Sequence, residues 1–207
     1  MIPYVVVMTA LVGLVLVASY RRDPRLEWAT KPLAALTFIA AAVARGSLET
    51  TYGQVLTFGL VLAAIGDVLL IPKSKRSFLF GLVAFLFGHV AYGAAFVVRG
   101  IDVTALGVSA VVLAIVAVPI LRWLWPHVPG PMRVPVASYV VVITTMVALA
   151  AATHVRAPEL RILVGAIAFY LSDLAVARNR FVSEGFVNRA WGLPLYFGSQ
   201  LVLASTV

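Results

Sequence analysis

The chain has no cysteine, which removes disulfides, thiolate nucleophiles and cysteine metal sites from consideration. Charge is scarce: 12% of residues are Asp, Glu, Lys or Arg and 62% are hydrophobic, whereas a soluble domain is about a quarter charged and about half apolar. No long polar stretch interrupts the apolar segments, so residues 1–207 are expected to form a single transmembrane domain. The ten-residue alternating segments of a membrane barrel are missing as well. Three histidines, His89, His127 and His154, lie too far apart to make an HxxxH-type pair, and no spacing demands a metal or another cofactor. The N-terminus lacks the basic flank of a cleavable signal peptide, and MIPYVVVMTALVGLVLVASYRR reads as a first membrane helix instead.

What is present is a series of apolar runs, at about 3–19, 31–45, 54–71, 78–98, 103–124, 134–153, 160–177 and 188–206. Most approach the roughly 20 residues a helix needs to cross a bilayer. The expected fold is therefore an all-α integral membrane protein, about eight transmembrane helices in one bundle, with short connections that make neighbours antiparallel and packed. The net charge of +8 belongs to these connections and to anionic head groups rather than to nucleic acid. Arg21, Arg22, Arg25, Lys31, Lys73, Lys75, Arg76, Arg122, Arg133, Arg178, Arg180 and Arg189 fall in the odd-numbered connections, and only Arg45, Arg99, Arg156 and Arg161 in the even ones. This bias places the odd connections in the cytoplasm and both termini outside it.

Of the eight acidic residues, only Asp67 and Asp173 sit inside apolar runs, in GLVLAAIGDVLLI and LVGAIAFYLSDLAVA. A carboxylate at membrane depth is costly and calls for a partner or a task. At about 1.5 Å per residue each lies roughly 8–9 Å before the basic residues that follow it, so the two should share one depth near the cytoplasmic side. A buried carboxyl beside a second carboxylate can hold a proton while its neighbour stays ionised, the arrangement a general acid and base need. The structural alternative pairs each aspartate with a cation or a neighbouring helix. Gly59 precedes Asp67 and Gly165 precedes Asp173 by the same interval, an internal echo that would make the halves two parallel four-helix repeats.

Other polar residues are candidates for binding. His89 and Tyr92 share one face of the fourth run and could extend a hydrogen-bond network to an aspartate or simply join helices. Lys31 is expected by default to anchor at the interface, with an inward turn toward a phosphate or carboxylate as the alternative. Arg178, Asn179 and Arg180 follow Asp173 directly and suit a phosphodiester head group, besides counting toward orientation. In the last run Pro194 should kink the helix and widen a cavity, while Tyr196 and Gln200 could bind substrate or bond another helix.

Together KPL at 31–33, GDVLL at 66–70, FLFGLVAFLFGHVAY at 78–92, GAIAFYLSDLAVARNRF at 165–181 and LPLYFGSQLVLAS at 193–205 resemble the YhhN-like lysoplasmalogenase family of bacterial multi-pass membrane proteins. The resemblance implies an enzyme of the inner membrane. It would hydrolyse the vinyl ether bond of a lysoplasmalogen, or of a related lysolipid, to a fatty aldehyde and a glycerophospho-head group. Asp67 and Asp173 would be its acid and base, and Lys31, His89, Tyr92, Arg178, Asn179, Arg180, Tyr196 and Gln200 would surround the substrate. The rival expectation is a proton-coupled small-molecule transporter that uses the same aspartates as a relay.

Overall fold

A computed structural model describes residues 1–72 and 74–207. Lys73, counted above among the cytoplasmic charges, lies outside the described residues. The described residues form eight long helices: α1 Ile2–Arg21, α2 Pro24–Val43, α3 Thr51–Leu69, α4 Lys75–Arg99, α5 Val103–Leu124, α6 Arg133–Arg156, α7 Leu160–Ala177 and α8 Phe186–Ala204. Short 3₁₀ turns and one π-helical turn, Arg178–Val182, join them, and no strand occurs among the described residues. Seven are long and apolar enough to cross a membrane. The remaining one, α8, is diluted by Asn188, Arg189, Ser199 and Gln200, and it turns Asn188, Ser199 and Gln200 into the bundle.

Helix starts follow local chemistry. Thr50, Ser74, Asp102 and Glu159 each accept a backbone N–H from the first turn of the helix they precede, satisfying donors that have no partner inside the helix. Asp23 does the same for α2 through Arg25 and Leu26, and Pro24 follows at the first helical position, where its missing N–H costs nothing. The second helix therefore starts at Pro24 rather than at 31. That correction carries Lys31 two turns into the helix, and the interfacial anchor expected there is instead a buried side chain.

The two halves pack alike. In each, the third helix lies closely against the fourth, α3 on α4 and α7 on α8. The echoing glycines each mark a close approach. A Cβ on Gly59 would stand 2.6 Å from the Tyr92 ring of α4, and one on Gly165 would stand 2.8 Å from Leu203 of α8. The likeness fails at one place. Helix α1 packs on both α2 and α8 and buries Met8, Val12, Val15 and Ala18, whereas α5 packs extensively only on α6 and buries only Leu124. Every consecutive pair of helices is packed as expected except α4 and α5.

Candidate active site

The last turn of α3 sets the first half of the site. Its final carbonyls must find partners outside the helix. Leu70 N–H serves Gly66, Ile71 N–H serves Val68, and the Ser77 hydroxyl donates to Leu69. The Asp67 carbonyl receives the Lys31 ammonium instead, at 3.1 Å. From that position Lys31 Nζ also stands 3.2 Å from Asp67 Oδ1, while the Tyr196 hydroxyl of α8 donates to Oδ2 at 2.6 Å. The carboxylate is thus held from α2 and α8, with a cation at the negative end of the helix dipole.

Asp173, near the end of α7, is held by the corresponding helices of the other half. Tyr139 of α6 donates its hydroxyl to Oδ2 at 2.6 Å, and His89 Nε2 of α4 faces the same oxygen at 3.1 Å. Stepping four helices along the chain exchanges the set α2, α3, α8 for the set α6, α7, α4. The partners are not equivalent, however: a lysine and a tyrosine serve Asp67, an imidazole and a tyrosine serve Asp173. Exposure differs too, 2% for the Asp67 side chain and 16% for that of Asp173.

Aromatic rings fix these donors in place. Phe169 meets His89 edge-on with ring centres 4.5 Å apart and lies 5.5 Å from the Tyr196 ring. Phe85 touches both Phe169 and Tyr196. Deeper in the bundle Tyr92 donates to Gln200 Oε1 at 2.6 Å, tying α4 to α8.

Both aspartates line one cavity of about 500 Å³, within the range of pockets that enclose a small ligand. Lys31, Tyr196, Asn179 and Arg180 share its wall, as do Glu27, Tyr139 and Arg189. Leu82, Phe85, Ile120, Trp123 and Ile143 make another part of that wall apolar. Pro194 sits within the stretch of α8 that borders the cavity. Among the expected binding residues, His89, Tyr92 and Gln200 stand behind this surface, and His89 reaches it only through Asp173. The Arg178 guanidinium is engaged by Asn188 Oδ1 and braces the turn after α7. Asn188 also donates to Ser183 O, and Asn179 Oδ1 accepts the Gly185 N–H. Arg180 alone of that basic pair faces the cavity, its guanidinium 4.3 Å above the Phe78 ring.

Three contributors escaped the sequence reading. Glu27 seemed to lie in a polar break, yet the helix start signalled by Asp23 and Pro24 puts it in the first turn of α2, where it pairs with Arg189 at 3.0 Å. Tyr139 lies in the apolar run VASYVVV, and only its hydroxyl hinted at a role. Asn188 stood at the edge of the last run, and nothing local marked it as a hub.

A family model, that of the YhhN family, matches residues 26–207. No curated protein matches the chain, and no solved structure does.

Proposed function

The chain belongs to the YhhN family, and we propose that it is a membrane hydrolase that cleaves the vinyl ether bond of a lysoplasmalogen-type lipid. The observation that carries this reading is the pair of intramembrane carboxylates on one cavity, one held against an ammonium and the other bonded to an imidazole and a phenol.

A vinyl ether hydrolyses by protonation of the alkenyl carbon one bond removed from the C–O carbon. The resulting oxocarbenium ion adds water, and the water's proton goes to a base. The hemiacetal hydroxyl then gives up its proton as the bond to the glycerol oxygen breaks, the glycerol oxygen takes up a proton in its place, and an aldehyde is released. This chemistry needs a proton donor, a negative charge near the cation and a base for water, the division of labour seen in two-carboxylate glycosidases. Asp173, with His89 and Tyr139 on one oxygen, is the group through which protons pass. Asp67, pinned by Lys31 and Tyr196, is the fixed negative charge. Arg180 and Asn179 at the cavity mouth receive the phosphodiester. The bias of basic residues supports a reading in which that mouth opens at the cytoplasmic face of a bacterial inner membrane, with both termini on the other side.

The test is turnover without compartments. Purified protein in detergent should release aldehyde from an alkenyl lysolipid, and Asp173→Asn should abolish the release while the variant remains folded. A relay for transport would release none and would act only between two compartments. Undiminished release by both Asp67→Asn and Asp173→Asn would sink the hydrolytic reading.

A further inference from the structure

We infer that the seam between α4 and α5 is a lateral portal through which the hydrocarbon chain of a single-chain lipid passes from the bilayer into the cavity. The inference deepens the proposed function and rests on it only in taking the ligand to be a lipid. Four observations carry it. First, α4 and α5 are the one consecutive pair of helices, among the described residues, without an extensive contact. Second, both nevertheless line the same cavity, α4 with Phe78, Leu82 and Phe85 and α5 with Ile120, Trp123 and Leu124. Third, the equivalent seam in the other half, between α8 and α1, is packed, with α1 lying against both α8 and α2. Fourth, α5 is held mainly on its α6 side, where Leu113 and Ile120 pack against the core. Leu124 clusters with Val128 and Val136 against Phe181 and Val182, while Val108, Val111, Val112 and Ile115 remain exposed along its length.

The chemistry of the two walls assigns the occupant. A lipid chain leaving the bilayer along this seam exchanges one apolar surface for another and loses no hydrophobic stabilisation. Its polar end would have to reach Asp173, Arg180 and Asn179, which the same cavity presents. A water-soluble substrate gains nothing from a route between Leu82 and Ile120. Cavity size favours one chain over two, because about 500 Å³ must hold the reacting linkage as well.

The experiment uses a lysophospholipid with a photoactivatable diazirine at the end of its chain, mixed with the full-length protein in bilayers and mapped by mass spectrometry after illumination. The expected result is labelling of Leu82, Phe85, Ile120 or Ile143, suppressed by unlabelled lysophospholipid. Narrowing the seam with Ile120→Trp, or from the other lip with Leu82→Trp, should cut that labelling about tenfold and leave labelling of lipid-facing Val112 unchanged. Cavity labelling without aldehyde release from the parent would support the portal and defeat the hydrolase. Aldehyde release with labels confined to Val108, Val112 and Ile115, or lying between α1 and α8, would overturn the portal and leave the hydrolase standing. Unchanged cavity labelling in both tryptophan variants would also overturn the portal.

Discussion

Asp67 and Asp173 are the same side chain at the same place in two similarly built helices, yet their surroundings differ in kind. Asp67 is sealed, with an ammonium on one oxygen and a phenol on the other. Asp173 is partly open to the cavity, and an imidazole and a phenol share one of its oxygens. The geometry of the two halves is alike while their chemistry differs. A lysine ammonium supplies charge and only donates, whereas an imidazole has two ring nitrogens and can donate at one while accepting at the other. The same contrast separates α1, packed on two helices, from α5, packed extensively on one. Similar packing thus gives one half a closed wall and a carboxylate held by a cation, and the other a loosely packed seam and a carboxylate bonded to an imidazole, which the proposed function uses as its proton path.

The sharpest way to break this comparison is to neutralise each aspartate in turn. Asp173→Asn should lower the rate of aldehyde release by about 10²–10⁴, the usual contribution of a general acid or base, with its melting temperature nearly unchanged. Asp67→Asn should lower the rate as well, but it should also lower the melting temperature, because it leaves the buried Lys31 ammonium without its counter-charge. Thermal unfolding in detergent beside initial rates would show the contrast, and equal loss of stability in both variants would erase it.

The next effect in size comes from the other side of the ion pair. Lys31→Met should destabilise the protein by about 3–5 kcal/mol, the cost of leaving a buried charge unpaired. Lys31→Met combined with Asp67→Leu should regain much of that stability, though not the activity. His89→Gln, which keeps most of the buried volume beside Phe169, should reduce turnover far more than stability, so a fall in melting temperature as large as that of Lys31→Met would contradict the division drawn here.

The paired tyrosines give a finer test. Tyr196→Phe and Tyr139→Phe each remove one hydrogen bond to a carboxylate, worth about 1.5–3 kcal/mol. In Tyr196→Phe the loss should appear chiefly as stability, and in Tyr139→Phe chiefly as rate, which paired melting and kinetic measurements would separate. The smallest effect belongs to the far end of the bundle. There the Glu159 carboxyl is lowered from 4.5 to about 2, chiefly by hydrogen bonds from the Arg161 guanidinium. A depressed acid stabilises the folded state above its ordinary value and loses that contribution as pH falls toward its folded one. Glu159→Gln should therefore match the parent in stability near pH 2 and fall slightly below it above pH 5, by a margin that surface exposure keeps small.

Much of this arrangement could be read from the chain. The apolar runs gave the helices, and the two aspartates stood out because nothing else acidic interrupts those runs. Lys31 was misplaced because its helix was started at the lysine itself, although Asp23 followed by Pro24 is a strong local start signal. Extending the helix backward turns the side chain from the interface to the core. Tyr139 and Asn188 were not legible, since their roles depend on which helices pass near them, and sequence periodicity does not say that α6 lies against Asp173. Arg178 and Arg180 look alike in sequence, and the π-helical turn that separates their directions depends on tertiary packing around Asn188. The weak packing between α4 and α5 was invisible for the same reason, because the pattern of neither run says which neighbour it will face.

The most direct measurement is the rate of aldehyde release from an alkenyl lysolipid by the parent, by Asp67→Asn, by Asp173→Asn and by the double variant, all purified and shown to be folded. Groups that act as one unit lose their joint contribution once, so the double variant should be no slower than the worse single variant by more than a few-fold. Losses that multiply in the double variant would mean that the two aspartates act independently and would contradict a single catalytic cavity.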